Sequence, residues 1–415
     1  MVLISNAAQH AIAYLQSPQA IRDRCGQLYS LAQQGKLNHF RLNAERLAPT
    51  ADYVLAVMRE NYPDLNIPIH SRWRHFSAGS VDRVAELDQA MATLDPRDRT
   101  RAKVDLVILS VLLDAGAGNI WRYQEAVTGK TFARSEGLAV ASFRMFCDGH
   151  FSSNPSQPLR ADAEALEQLT EASLVQGFQV SQENPLVGLD GRLSLMQALG
   201  RSLRQHPDIF GTAPARPGNL VDYCLQQAKG NTLPAPLILQ TILLGMGAIW
   251  PGRIEVAGVN LGDVWPHSAL TGDQPADGGL VPFHKLSQWL TYSLMEPMQE
   301  LGVTIADVDQ LTGLAEYRNG GLCLDMGLLE LQDPAIAHTP HPPGSEVIVE
   351  WRALTVSALD AIANEIRKTL GYTSTEFPLA NVLEGGTWAA GRKIAKEKRP
   401  DGAPPLQIAS DGTVF

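Results

Sequence analysis

A mainly α protein with minor β ribbons is predicted by two features of the sequence. Apolar residues recur along most segments at the three- and four-residue spacing that lines one face of a helix. Strand-like signals are confined to three short stretches: RIEVAGVN from Arg253, SEVIVEW from Ser345, and the closing LQIASDGTVF with its Asp-Gly hairpin turn. No internal repeat or low-complexity tract interrupts the pattern.

The first helical region runs from Ala7 to about Leu42 (Ala8, Ile12, Leu15, then Ile21, Cys25, Leu28, Leu31) and breaks near Ser17-Pro18. Thr50 begins a further helix that ends before Pro63. The segment IPIHSRWRHFSAGSVDR then resists any period. His70, Arg72, Trp73, Arg74, His75 and Phe76 concentrate cations and aromatics there, a composition suited to holding an anion beside a flat apolar group. A solvated loop with pinned aromatics fits the same residues. From Asp105 to Leu113, DLVILSVLL is apolar nearly all round and predicts a buried helix. Asp114 at its end is either a solvated turn residue or a polar group directed from the core into a pocket.

Ser135-Glu136-Gly137 opens a helix through Phe146, and amphipathic helices follow from about Asp162 to Phe178 and from Leu193 to Arg204. His206 to Asn219 is rich in Pro and Gly and is the best candidate for a subdomain boundary. It is too short for a free linker, so residues 1–415 are expected to form one integrated unit. The most apolar stretch, PLILQTILLGMGAIW, is interrupted by Gln240 and Thr241 and is too short to span a bilayer.

The run from Val281 to Glu330 carries the chemistry. Pro282 suits an opening helical turn, Leu286, Trp289, Leu290 and Leu294 form an apolar stripe, and Lys285 falls in the first turn. Pro297 weakens or kinks this helix before Leu301. A second helix is expected from a cap at Asp307 or Asp309, with Leu311, Leu314 and Ala315 buried and Asn319-Gly320-Gly321 as its stop. That places Glu316, Tyr317 and Arg318 in the last turn, where a carboxylate faces the negative end of the dipole and is either paired or raised in pKa. Ordinary surface helices end in such residues too.

Near the C-terminus, Glu384-Gly385-Gly386-Thr387-Trp388 leads into AAGRKIAKEK. Free N–H groups of Gly385, Gly386 and Thr387 at a helix N-terminus, with Arg392 a turn further on, would form a phosphate cradle. Glycine before a helix is also common loop chemistry.

Composition sets outer bounds. With 45% hydrophobic and 19% charged residues the chain is globular. Its net charge of -10 argues against nucleic acid or an anionic membrane as partner, while a small anionic ligand is still allowed because a local pocket need not share the global sign. Cys25, Cys147, Cys224 and Cys323 lack paired spacing, which fits free thiols in a reducing compartment and gives no metal signature. The N-terminus has no basic region preceding an apolar one, so a cytoplasmic protein is expected. Motifs for dinucleotides, P-loops, zinc proteases and serine hydrolases do not occur.

The segments WRHFSAG, LLDAGAG, ARSEGLA, PFHKLSQWLTYSLMEP, LAEYRNGGL and EGGTWAAGR, spread over about the whole chain, resemble the uracil-catabolism family. That family accompanies a cyclohydrolase-II-like ring-opening enzyme, which the resemblance makes an expected pathway partner. A more distant similarity links PFHKLSQWL and LTGLAEYRNGGLCLDMGLLEL to the queuosine-salvage nucleosidases. It implies a helical, glycosylase-like core with a helix-hairpin-helix-like element, and hydrolysis of an N-glycosidic bond in a nucleoside 5′-monophosphate. Carried over residue by residue, the nucleosidase lysine falls on Lys285, its aspartate on Glu316, its tyrosine and arginine on Tyr317 and Arg318, and its preceding aromatic on His284. The chain departs from that pattern in having glutamate for aspartate and Gly-Gly where proline is expected.

Together these readings predict an N-ribosidase that hydrolyses a ribosylurea-type intermediate, as its 5′-phosphate, to urea and ribose phosphate. Glu316 and Lys285 are the expected catalytic residues. His284, Tyr317, Arg318, Trp73 and Asp114 are expected to contact substrate, and Gly385, Gly386, Thr387, Arg392, Arg72, Arg74 and His75 to hold the phosphate. Neither metal nor organic cofactor is required by this chemistry. A phosphoribosyl transferase and a non-catalytic scaffold for the ring-opening enzyme are the alternatives.

Overall fold

The computed structural model describes residues 5–114, 116–251, 254–270 and 278–409. It is mainly α: among the described residues the strands are at most three residues long and pair only two by two. Glu255–Val256 and Val259–Asn260 form the ribbon expected after Arg253. The closing Asp411-Gly412 turn lies outside the described residues. No described helix is long and apolar enough to cross a membrane.

The chain divides into two compact units. Among the described residues, the first holds those up to His70 with 254–288 and 307–409, and the second holds 71–251 and 289–306. His206 to Asn219 therefore lies inside the second unit, where Pro207–Phe210 is a short helix, and is no boundary between the two.

In the first unit the core is built on the 25-residue helix Glu346–Leu370, which packs on Pro18–Gln33 and Leu47–Asn61. The strand expected from SEVIVEW is absent. Val347, Ile348, Val349, Glu350 and Trp351 are all buried, so the alternation carries no exposed face and the segment propagates as a buried helix. Gly371 in the left-handed conformation ends it. Each fully buried Leu or Ile of this core contributes about 1.5–3 kcal/mol over an exposed one. The N-terminal region splits as expected into Asn6–Leu15 and Pro18–Gln33, each capped by a serine, but Phe40–Leu42 is a strand paired antiparallel with Leu329–Leu331.

The segment before Glu316 also differs from expectation. Only Val308–Gln310 is helical, as one 3₁₀ turn, and residues 311–316 are buried and form neither helix nor strand. A buried irregular chain must find partners for its backbone groups. Here side chains supply them: Gln288 accepts from the Thr312 N–H at 3.0 Å, Asn319 Nδ2 donates to the Leu314 carbonyl at 3.1 Å, and Arg352 Nε donates to the Ala315 carbonyl at 3.2 Å.

The helix starts at Tyr317 instead and runs to Asp325, with Gly320 and Gly321 in its interior. They are contact points and not a stop. A Cβ on Gly320 would lie 2.7 Å from the Trp351 ring, and one on Gly391 of the neighbouring Trp388–Lys398 helix would lie 2.2 Å from the Arg318 carbonyl oxygen. Glycine is disfavoured in a helix by about 1 kcal/mol, and the close approach of these three helices offsets that.

In the second unit, the buried helix expected from Asp105 to Leu113 is present but starts nine residues earlier, as Pro96–Leu112 capped by Asp95. Its buried Asp105 accepts from the N–H groups of Ala161 at 3.0 Å and Gly218 at 2.6 Å and is paired with Arg216.

Candidate functional site

Two helix starts in the first unit are each capped by a buried carboxylate, and one arginine ties them together. Lys285 lies in the first turn of the helix Lys285–Glu300, as the sequence predicts, with Pro297 accommodated within it, but Pro282 ends a strand and does not open the helix. Asp263 accepts from the Lys285 backbone N–H at 3.1 Å and from Trp265 Nε1 at 2.8 Å. The strand pair Val264–Pro266 and Leu280–Pro282 brings these segments together. Arg352 holds Asp263 with Nη1 and Nη2, each at 2.8 Å, lies 4.1 Å over the Phe283 ring, and reaches the Ala315 carbonyl next to Glu316.

Glu316 caps the Tyr317 helix. Its Oε2 accepts from the Arg318 N–H at 2.7 Å and its Oε1 from the Asn319 N–H at 2.6 Å. The expected position in a last helical turn is thus reversed: the carboxylate meets the positive end of a helix dipole, because the preceding run is not helical. Its pKa is nevertheless raised. Burial favours the neutral acid, and that effect outweighs the Arg318 N–H bond, the Lys285 charge, the Asn319 N–H bond and the Arg318 charge, all of which favour the anion. Lys285 is therefore close enough for its charge to favour the Glu316 anion.

Asp263 balances differently. Burial raises its pKa, but the Arg352 charge and hydrogen bonds, with those from Trp265 and the Lys285 N–H, hold it well below the usual carboxylate range. One buried carboxylate is a fixed anion and the other has a raised affinity for a proton.

His284 is buried with φ of 45°, a conformation disfavoured for a side chain of its size. Its Nε2 donates to the Leu15 carbonyl at 2.8 Å, and burial lowers its pKa, which favours the neutral imidazole. Arg318 lies 5.0 Å over the Tyr317 ring and donates from Nη1 to the Gly402 carbonyl at 2.8 Å. His284, Lys285, Glu316, Tyr317 and Arg318 all belong to the first unit.

The glycine cradle does not have the geometry expected of it. Leu379–Val382, a π-turn at Leu383–Thr387 and Trp388–Lys398 follow one another without a break, so Gly385, Gly386 and Thr387 do not open a helix with free N–H groups. All three are buried. A Cβ at Gly385 would lie 2.6 Å from Ile67 and one at Gly386 2.6 Å from Val54, which makes the glycines sites of close helix packing. Arg392 lies 4.7 Å over the Trp388 ring.

The other expected site residues belong to the second unit. Trp73 is buried, with Nε1 donating to the Ser293 carbonyl at 2.8 Å. Arg74 is paired with Glu296, which also accepts from Ser71 Oγ. Asp114 is not a solvated turn residue: it pairs with Arg72 at 2.9 Å and accepts from Ser135 Oγ at 2.7 Å. His75 meets the Trp289 ring edge-on, with centroids 5.7 Å apart.

Asp263 and Arg352 were not singled out from the sequence. The available signal was Arg352 itself, a charge inside the apolar run VIVEWRALTV that needs a buried acid as partner.

These features define a mainly α protein with a buried junction of carboxylates and cations at two helix starts. The model of a family described as "Protein of unknown function (DUF1688)" matches residues 14–415, and the chain belongs to that family. Among its relatives, "Uracil catabolism protein 4" of Lachancea kluyveri is 38% identical over 437 residues, covering 97% of this chain and 99% of the relative. "Protein urg3" of Schizosaccharomyces pombe is 39% identical over 415 residues, with the same coverage.

Proposed function

We propose that this chain acts in uracil catabolism as an N-ribosidase, hydrolysing a ribosylurea-type intermediate, as its 5′-phosphate, to urea and ribose phosphate. The pathway part rests on the name of a full-length relative. The observation that carries the reaction is Glu316: a buried carboxylate at a helix start, within the field of Lys285, whose pKa burial raises.

N-glycoside cleavage breaks the C1′–N bond with its electron pair leaving on nitrogen, and positive charge develops on the sugar. A carboxylate fixed by two N–H groups stabilises that charge without having to reorient. Water adds to C1′ and gives its proton to Glu316, which passes it on to the departing nitrogen, so no proton is gained or lost overall. Lys285 orients Glu316 and hydrogen-bonds the leaving group. Asp263 and Arg352 hold the Lys285 helix start and the Ala315 carbonyl in register.

The test is incubation of the purified protein with ribosylurea, its 5′-phosphate and other pyrimidine-derived ribosides, with products followed by NMR. Equimolar urea and ribose phosphate are expected, with the phosphorylated substrate preferred. Turnover that depends on added pyrophosphate would identify a transferase instead, and inertness toward every riboside would favour the scaffold.

A further inference from the structure

Within the second unit, Arg72 is a charged side chain with no solvent exposure and one end unaccounted for. Its Nε donates to Ser110 Oγ at 2.8 Å, and its Nη1 donates to Ser135 Oγ at 3.0 Å and lies 2.9 Å from Asp114 Oδ1. Nη2 is buried and has no hydrogen-bond partner. The guanidinium lies 5.6 Å from the Trp289 ring centroid, and His75 packs edge-on against the same ring. A buried donor without an acceptor is costly, more so on a charged group, and an acceptor from outside the chain would relieve that cost.

The charges select the kind of acceptor. Arg72 is balanced by Asp114, and Arg74 by Glu296. A phosphate dianion needs cations whose charge is not already neutralised, and it gains nothing from a flat aromatic neighbour. A neutral planar group with a carbonyl oxygen gains from both, by accepting from Nη2 and stacking on an indole.

We propose that Arg72, Trp289 and His75 form a recognition site for a planar amide-type group, N–CO–N, such as a ureido group or a uracil ring, and not for phosphate. Because Nη2 is covered, a ligand reaches it only by displacing part of that cover, which changes the surroundings of Trp289. Ser110, Ser135 and Asp114 fix the guanidinium from the side away from the ligand.

The test is calorimetric titration of the full chain with uracil, N-methylurea and inorganic phosphate, alongside Trp289→Leu, Ser135→Ala and Glu316→Gln. Uracil or N-methylurea is expected to bind and phosphate not to. Trp289→Leu should weaken that binding roughly 10-fold or more. Ser135→Ala keeps the aromatic ring but removes one anchor of Arg72, so it should weaken binding by a smaller factor. If Trp289→Leu fails to fold, arginine side-chain ¹⁵N spectra of the unaltered chain replace it, and the Arg72 signal, assigned with Ser135→Ala, should move on addition of uracil. Binding of phosphate alone, binding of neither amide, or amide binding that leaves Arg72 and Trp289 unaffected would overturn the proposal. Glu316→Gln should bind uracil as the unaltered chain does, so near-normal hydrolysis by this variant with retained binding would count against the proposed reaction and not against this site.

Discussion

Arg352 clasps Asp263 through both terminal nitrogens at 2.8 Å, in a part of the first unit where the arginine side chain is 1% exposed. With its Nε on the Ala315 carbonyl, it joins the cap of the Lys285 helix to the residue before Glu316. The arrangement makes the position of Glu316 depend on a residue 36 positions further along the chain.

Arg352→Met should therefore be strongly destabilising, because it leaves Asp263 as a buried charge without its main partner. A loss of about 3–5 kcal/mol in urea unfolding is expected. The double change Arg352→Met with Asp263→Leu should recover part of that loss, since both charges then leave the interior. A double variant no better than the single would show that the pair matters through shape alone.

Glu316 gives a pH signature of opposite sign to that of Asp263. Its folded pKa is raised, so its stabilising contribution is fully present below the unfolded glutamate value of about 4.3 and is lost as pH rises through the folded value. Glu316→Gln has no such loss. The stability of this variant minus that of the unaltered chain should therefore increase as pH rises from about 4, then level off. Asp263, depressed, should show stability present above the unfolded aspartate value and lost only in strong acid, as pH falls through its folded value. Urea unfolding from pH 4 to pH 8 measures the Glu316 term, and a difference that falls over this range would mean that the carboxylate is better solvated than its burial indicates.

Gly386→Ala discriminates packing from phosphate binding at the π-turn. The added methyl meets Val54 and Met58, so a loss of about 1–3 kcal/mol in stability is expected from overpacking. At a temperature where the variant is fully folded, its preference for a phosphorylated over an unphosphorylated substrate should be unchanged. A selective loss for the phosphorylated substrate would restore the cradle.

Much of the helical scaffold is legible locally, because its signals lie within one turn of where they act. The buried part of the helix Pro96–Leu112 follows from its apolar run, and the helix with Lys285 in its first turn follows from the apolar stripe of Leu286, Trp289, Leu290 and Leu294, although Pro282 ends a strand and does not open that helix. The polarity of the Glu316 helix end was not legible. Leu311, Leu314 and Ala315 have helical spacing, yet the run is not helical, because Gln288, Asn319 and Arg352 satisfy its backbone from elsewhere in the chain. Gly320-Gly321 reads as punctuation in isolation. Its role is set by Trp351, which no local window contains. SEVIVEW alternates only in its residue types, since burial on every side removes the distinction between faces.

The central claim is that the Glu316 charge stabilises a cationic transition state, and the turnover of Glu316→Gln on the 5′-phosphate of ribosylurea tests it most directly. The substitution keeps the size of the side chain and one N–H contact of the cap while removing the negative charge. The expected result is a fall in kcat on the order of 10²–10³, equivalent to roughly 3–4 kcal/mol, with KM much less affected. A folded Glu316→Gln protein that releases urea at a near-normal rate would contradict the assignment.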